Sequence, residues 1–175
     1  RSTSVRNRYG EHGMRSSRKY LQGARQTKRT SIDPNCLRRP NSCTSNSPPD
    51  LDPRIVTLAE TLTANADSLM EKASLLETYL KRENAYSLDL TWDPGDQPLA
   101  TFLFDAKSGH CEYFASSMAI MLRVVGVPTR MVNGFLAGEY NTIGGSYIVR
   151  QSDAHSWVEA YVPGRGWTEF DPTPP

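Results

Sequence analysis

The sequence has no long run of apolar residues. Its mean hydropathy is −0.54, and nowhere do about 18 apolar residues, the length needed to span a bilayer, follow one another. No N-terminal segment shows the charged, apolar and small-residue parts of a secretory signal peptide. A membrane span is therefore excluded within this sequence. Because it begins with Arg1 rather than Met, we expect it to be part of a longer protein.

Histidine and cysteine are scarce, with three residues of each. No Cys-x-x-Cys pair, no His-Glu-x-x-His helix and no acidic calcium loop is present. We therefore expect neither a metal nor another cofactor. Cys36 and Cys43 lie in a polar N-terminal stretch, where they are either bridged to each other or reduced. Cys111 is left over, and a leftover cysteine is a candidate nucleophile.

Acidic residues are nearly missing from the first part of the chain. Residues 1–49 hold 11 Lys and Arg against 2 Asp and Glu, a net of +9, and residues 50–175 hold 9 against 17, a net of −8. The first part also lacks a hydrophobic period, so it cannot offset the entropy of ordering. We predict a basic polar arm over residues 1–49, flexible or dependent on the parent protein, and one folded domain over residues 50–175.

The basic arm carries no aromatic interleaving and no recognisable nucleic-acid motif, so we expect no nucleic-acid partner. Its charge is equally compatible with a solvated tether and with a position near a membrane surface.

The domain begins with two predicted helices. Asp52 before Pro53 is an N-cap with proline at the first helical position, and an apolar stripe follows to Leu62. Ser68 and Glu71 have capping-box spacing, which predicts a second helix that ends near residues 81–83. Beyond it we predict a short strand over residues 85–91, a turn, and an apolar segment, Phe102–Phe104, that leads into the next helix.

A central helix is predicted from Gly109 to Val125. Apolar residues recur there every three to four positions, which indicates one buried face. Gly126 and Pro128 provide the stop signal. Cys111 then lies in or beside the first turn, where backbone N–H groups and the helix dipole favour a thiolate. A small core residue that happens to begin a helix fits the same pattern, and this stretch alone leaves both interpretations open.

After Pro128 the apolar period changes from about 3.6 to about 2, which predicts strands. We predict strands over residues 129–136, 146–150, 155–162 and 167–171, with a loop over residues 138–145. Helices followed by antiparallel strands indicate an α+β domain with the sheet packed against the Cys111 helix.

Cysteine catalysis needs a thiolate, a base that takes and returns its proton, and a group that orients the base. His155 opens an alternating strand, so its side chain can face Cys111. Asp171 closes the next strand, where a carboxylate is placed to accept the other imidazole N–H and fix the tautomer.

Four motifs occur in one order along the domain: Gly-His-Cys-Glu-Tyr-Phe-Ala-Ser-Ser-Met, Gly-Val-Pro-Thr-Arg, Asp-Ala-His-Ser-Trp-Val-Glu and Gly-Trp-Thr-Glu-Phe-Asp-Pro-Thr-Pro. In order and spacing they resemble the transglutaminase-like superfamily, which has a papain-like fold. The variant is most similar to the extracytoplasmic domains of bacterial membrane proteins that carry such a module. The resemblance covers roughly residues 50–175, and residues 1–49 match no family that we can name.

The resemblance implies Cys111 as nucleophile, His155 as general base and acid, and Asp171 as the orienting carboxylate. It implies acyl transfer from a protein or peptide amide through a Cys111 thioester, with an amine or water as acceptor. A peptidase or amide hydrolase of the same fold is an alternative, as is a non-catalytic module that binds peptide or peptidoglycan. The implied location is extracytoplasmic, in a membrane-anchored parent protein.

An oxyanion hole is also required, and the backbone N–H of Cys111 is its natural first donor. The second donor is expected from residues 84–92 or from the loop before His110. Animal transglutaminases use a tryptophan for this purpose, and Trp92 is a conceivable equivalent. Arg130 follows the start of a strand and is a candidate partner for a buried carboxylate.

Overall fold

The computed structural model describes residues 3–6, 48 and 50–175, and the chain divides into two units. In the first unit the described residues are strand β1 (Thr3–Arg6) and Asn133–Ser156. In the second they are residues 48 and 50–132 and Trp157–Pro175. Most of the predicted basic arm, with both of its cysteines, lies outside the described residues, so its character stays a prediction.

Helix α1 (Pro53–Thr63) begins at the predicted cap. Asp52 Oδ1 accepts the backbone N–H of Arg54 at 2.8 Å, which satisfies one of the amides that a helix start leaves without an intrahelical acceptor. The Arg54 guanidinium also binds this carboxylate and lowers the pKa of Asp52. The predicted start of the first helix is therefore confirmed.

Helix α2 (Leu69–Glu83) begins with the predicted pair of side chains. Ser68 Oγ accepts the backbone N–H of Glu71 at 3.1 Å. Glu71 in return accepts the backbone N–H of Asp67 at 2.8 Å, one residue before the usual position of a capping box. The helix leaves its α conformation at Asn84, in agreement with the predicted end.

Short helical and strand segments connect α2 to the central helix. Helix α3 (Pro98–Ala100) continues into a π-helical turn, Thr101–Ala106, which buries Phe102 and Leu103. This turn contains the predicted apolar segment. It ends at Lys107, whose φ of 50° is left-handed and redirects the chain toward Cys111.

The predicted strand over residues 85–91 is wrong in length. Only β2 (Ala85–Tyr86) is a strand, and it pairs in parallel with β3 (Ser108–Gly109). Beyond it the side chain of Ser87 accepts the N–H of Asp89 at 3.1 Å and donates to its carbonyl at 3.0 Å. This local turn replaces a strand ladder, which is a common effect of serine.

The central helix is α4 (Cys111–Val124), as predicted. The chain reverses at Gly126, whose φ of 83° suits glycine after a helix end. Lys72 Nζ donates to the carbonyl of Val125 at 3.2 Å and Arg123 Nη2 to that of Thr129 at 3.0 Å. Burial lowers the pKa of Arg123. Both positive charges lie near the C-terminus of α4, where they interact favourably with the negative end of the helix dipole.

Three strands follow in the order β4-β7-β8. They are β4 (Thr129–Phe135), β7 (Ala154–Val162) and β8 (Gly166–Phe170). β7 and β8 are antiparallel, in a register that runs from Val158 opposite Phe170 to Val162 opposite Gly166. The strands at residues 129–136, 155–162 and 167–171 were therefore predicted to within one residue at each end, with Asp171 just outside β8.

The core of the second unit joins these strands to the helices. Val158, Ala160 and Phe170 belong to one buried cluster with residues of α1, α2, the π-helical turn and α4. The largest fully buried side chains of α4 are Phe114, Met118, Met121 and Leu122. Each such side chain stabilises the fold by about 1.5–3 kcal/mol relative to exposure. The predicted packing of the sheet against the Cys111 helix is confirmed.

In the first unit, the predicted loop over residues 138–145 contains a strand that the sequence analysis missed. β5 (Glu139–Asn141) pairs antiparallel with β6 (Ser146–Val149), and β6 pairs antiparallel with β1. Asn141 Oδ1 accepts the N–H groups of Ile143 and Gly144 at 3.0 and 3.1 Å. This tight turn needs few residues, so the chain before it remains extended and pairs.

Within the described part of the chain, no helix is both long enough and apolar enough to cross a membrane.

The cap of α2 provides a stability test. Ser68→Ala removes the acceptor of the Glu71 N–H, and we expect it to lower the free energy of unfolding by about 1 kcal/mol. Urea unfolding followed by circular dichroism measures this change. Ser74→Ala, at an exposed position inside the same helix, is the control and is expected to change the free energy by less than about 0.5 kcal/mol. Equal effects of the two variants would show that the cap contributes nothing.

Candidate active site

Cys111 is the first residue of α4, and His110 is its N-cap. The cysteine is 9% exposed. The N–H groups of the first helical turn and the positive end of the dipole surround this position, and both favour a thiolate over a thiol. Glu112, the next residue, is exposed, and its Oε2 lies 3.9 Å from His110 Nδ1.

The approach to Cys111 is fixed by close packing at Gly109. A Cβ atom placed on Gly109 would lie 3.1 Å from ring carbons of both Phe102 and Tyr113. This is closer than side-chain carbons normally pack, so a larger residue would need these two rings to shift by a few tenths of an ångström. The sequence analysis named Gly109 only as the beginning of the predicted helix, and its packing role was missed.

An aromatic cluster lies behind this approach. Tyr113 stacks on Phe102 at 5.6 Å and meets the edge of Trp92 at 5.1 Å and His110 at 4.9 Å between ring centroids. The Trp92 indole Nε1 donates to the carbonyl of Ser108 at 2.8 Å. Trp92 is thus bonded to the backbone of β3, which argues against it as the second oxyanion donor.

His155 is the second residue of β7 and belongs to the first unit. It is 8% exposed. A 3-10 turn, Gln151–Asp153, precedes it, and Asp153 Oδ2 accepts the backbone N–H of Arg150 at 2.7 Å. The neighbouring Ser156 Oγ donates to Asn133 Oδ1 at 2.8 Å. These contacts fix the backbone on both sides of the imidazole.

Asp171 follows the last residue of β8, in the second unit. Its Oδ1 accepts the backbone N–H of Thr173 at 3.1 Å, and its own N–H donates to Glu77 Oε1 at 3.2 Å. Glu77 lies on α2, far away in sequence, and also binds Lys81 at 2.9 Å. Glu77 was missed because a glutamate followed four residues later by lysine is typical of an exposed helix pair.

The structure therefore places Cys111 at a helix start, His155 at a strand start and Asp171 at a strand end, as predicted for each. Their joint action as a catalytic triad stays a prediction.

Arg130 has the carboxylate partner that was expected. Its guanidinium forms an ion pair with Glu159 and lies 4.4 Å from the ring centroid of Trp167. Arginine suits such a site because its planar group binds a carboxylate and stacks on an aromatic ring together. In the described residues, no group of three or more histidine, cysteine, aspartate or glutamate side chains is arranged to hold a metal ion.

The model of the transglutaminase-like superfamily matches residues 56–172 of this sequence. The chain belongs to the transglutaminase-like superfamily. The match includes all three predicted catalytic residues, and it confirms the family that the motifs resemble. The α+β fold, with antiparallel strands packed on the Cys111 helix, is confirmed with it.

Two curated proteins are similar to this transglutaminase-like domain. YebA of Bacillus subtilis (strain 168) is 40% identical over 134 residues, which cover 72% of this chain and 18% of that protein. A protein-glutamine gamma-glutamyltransferase of Pseudomonas aeruginosa is 40% identical over 123 residues, which cover 70% of this chain and 18% of that protein. The chain thus spans less than a fifth of the length of either relative.

The periplasmic domain of TgpA from Pseudomonas aeruginosa, solved with bound ethylmercury, is a similar structure. Its TM-score is 0.70 at 36% sequence identity, and the match covers 81% of this chain and 50% of that chain. The extracytoplasmic location expected from the motifs agrees with the location of this neighbour.

Mutation of Glu77 tests the hydrogen bond between its side chain and the backbone of Asp171. Glu77→Ala leaves the half-buried N–H of Asp171 without its acceptor, and we expect it to lower the free energy of unfolding by about 1–3 kcal/mol. Lys81→Ala removes only the exposed ion pair and is expected to cost about 0.5 kcal/mol or less. Glu77→Gln keeps a carbonyl oxygen that can accept this bond, so we expect its loss in free energy of unfolding to lie between those of the other two variants. Chemical denaturation of the three variants measures the order, and equal values for Glu77→Ala and Lys81→Ala would exclude the bond to Asp171 as a stabilising contact.

Proposed function

We propose that this domain is a cysteine-dependent acyltransferase of the transglutaminase type. Cys111 is the nucleophile, His155 the general base and acid, and Asp171 the carboxylate that orients the imidazole. The observation that carries the proposal is the position of Cys111 at the start of α4 in a chain of this superfamily. Membership of the superfamily supports the other two roles, since both residues lie within the matched range.

The first half-reaction attaches the acyl group to the enzyme. The Cys111 thiolate attacks the carbonyl carbon of a carboxamide on a protein or peptide, and the carbonyl oxygen becomes an oxyanion. When the C–N bond breaks, the His155 imidazolium gives its proton to the nitrogen and ammonia leaves. A thioester on Cys111 and a neutral imidazole remain.

The second half-reaction returns the thiolate. A primary amine attacks the thioester, His155 takes one amine proton, and the C–S bond breaks to give a substituted amide. Water in place of the amine gives a carboxylic acid, which is deamidation. The ratio of the two outcomes depends on how well the site excludes water.

The substrate class follows from the same chemistry. The acyl donor is a protein or peptide with an accessible carboxamide, and the acceptor is an amine or water. The named activity of the Pseudomonas aeruginosa relative, a protein-glutamine gamma-glutamyltransferase, supports this choice. The parent protein is proposed to be membrane-anchored with this domain outside the cytoplasm, which the periplasmic TgpA domain supports.

A mass measurement tests the reaction. The chain is incubated with a glutamine-containing peptide and a small primary amine, and intact protein and peptide masses are recorded. We expect an acyl-enzyme on Cys111 and a peptide whose mass increases by the amine minus ammonia. Cys111→Ser is expected to show neither product, while Cys36→Ser and Cys43→Ser are expected to retain both.

Other outcomes of this measurement identify the alternatives. A peptide that is only deamidated indicates a hydrolase that excludes amines poorly, and a cleaved peptide indicates a peptidase. A complex without any covalent product favours a peptide-binding module. No reaction and no binding over a panel of peptides would contradict the proposed function.

The proposed roles of Cys111 and His155 predict a distinctive pH profile. With Cys36 and Cys43 changed to serine, alkylation by iodoacetamide reports only Cys111. A thiolate stabilised by an imidazolium reacts well below pH 8.5, about the pKa of an ordinary thiol. We expect His155→Ala to move the midpoint of the profile up toward this value and to abolish turnover. An unchanged profile would exclude the pair.

Asp171→Asn separates orientation from reactivity. The variant is expected to keep much of its alkylation rate, because the imidazole remains, while turnover falls by up to about 10⁴-fold, as in the equivalent serine triad. Single-turnover rates measured beside the alkylation rates show the difference. A variant with full turnover would remove Asp171 from the mechanism.

A further inference from the structure

The segment before Cys111 is held against β2. Tyr86 is opposite Gly109 in the parallel pair. Ala85 N donates to the carbonyl of Lys107 at 2.8 Å, and Ser87 N donates to that of Gly109 at 2.9 Å. Because both bonds flank Tyr86, its position along β3 is fixed two residues before the nucleophile.

Acyl transfer through Cys111 develops negative charge on the former carbonyl oxygen. A backbone N–H at the start of α4 supplies one hydrogen bond to it, and a second donor makes a hole that stabilises the charge. A tyrosine hydroxyl is among the groups that serve this purpose. The candidates are the side-chain donors of residues 84–92, the segment that contains β2.

Most of these donors already form hydrogen bonds within the domain. Asn84, Ser87 and Trp92 each donate to a backbone carbonyl, at 3.3, 3.0 and 2.8 Å. Thr91 is exposed and belongs to neither strand of the pair. The hydroxyl of Tyr86 makes no hydrogen bond to any residue that the structure describes, and its side chain is 46% exposed.

The electrostatics of Tyr86 agree with a position beside the nucleophile. Burial raises the pKa of its phenol, and the negative charge of a Cys111 thiolate raises this pKa further. A charge has this effect only over a short distance, so the phenol lies within electrostatic reach of the sulfur. Because the pKa is raised above its ordinary value of about 10, the phenol keeps its proton at neutral pH and remains a hydrogen-bond donor.

We propose that Tyr86 is a catalytic residue of this domain, whose hydroxyl donates the second hydrogen bond to the oxyanion formed at Cys111. The assignment rests on the proposed acyl transfer. The donor acts on the tetrahedral intermediate and not on the thiol itself. It therefore predicts a loss of turnover without a loss of nucleophile reactivity.

The test compares Tyr86→Phe with the unmodified chain in the peptide and amine assay. We expect kcat to fall by about 100-fold to 1000-fold, the effect of removing one oxyanion donor, while KM changes little. The rate of Cys111 alkylation by iodoacetamide is expected to stay the same, because this reaction forms no oxyanion. Tyr140→Phe loses the same atom from a tyrosine that is 53% exposed on β5, and it is expected to keep full activity.

Three results would overturn the assignment. If Tyr86→Phe keeps at least half of kcat, the hydroxyl contributes nothing to the transition state. If alkylation falls together with kcat, the hydroxyl acts on the thiol. If Trp92→Phe keeps its melting temperature but loses about 100-fold in kcat, the indole is the donor. An unmodified chain without turnover contradicts the proposed function and this assignment together, whereas an active chain with an active Tyr86→Phe variant contradicts this assignment alone.

Discussion

The position of Cys111 depends on the close contact between Gly109 and two aromatic rings. A Cβ atom at Gly109 would lie only 3.1 Å from ring carbons of Phe102 and Tyr113, so a side chain here would need these rings to shift by a few tenths of an ångström. Because Tyr113 is part of α4, this contact sets how the chain enters the helix. The thiol of Cys111 at the helix start is thereby held by packing and needs no flexible loop.

The same contact explains the elements before α4. The left-handed residue Lys107 turns the chain out of the π-helical turn, and β3 then runs for only two residues before the helix begins. Such a short strand is stable because both sides are occupied: β2 pairs with it, and Trp92 donates to Ser108. Each of these features is local, but together they hold the backbone at the site in one conformation.

Local signals in the sequence were sufficient for the helices and most strands. Capping at Asp52 and Ser68 and the 3.6-residue period of α4 depend on neighbours along the chain, so they can be recognised without a structure. β2 was predicted too long because the hydrogen bonds of Ser87 compete with a strand ladder. β5 was missed because a strand of three residues carries almost no periodicity.

In the candidate site, too, some residues carry local signals in the sequence and others do not. Cys111, His155 and Asp171 could be proposed from the sequence because motifs and strand ends mark them. The contact between Glu77 and Asp171 was not predictable, since the two residues are 94 positions apart and the neighbours of Glu77 suggest an exposed position. The role of Gly109 was hidden for the same reason, because its packing partner Phe102 is not adjacent to it along the chain.

Helix α2 carries none of the proposed catalytic groups, yet it contacts two segments that do. Lys72 binds the carbonyl at the end of α4, and Glu77 binds the backbone of Asp171. The two residues are five positions apart, or about 7.5 Å along the helix axis. α2 therefore sets the spacing between its contact with the end of α4 and its contact with the end of β8. One residue inserted between these contacts would rotate one against the other by about 100°, so the length of this stretch is constrained even where its surface residues are not.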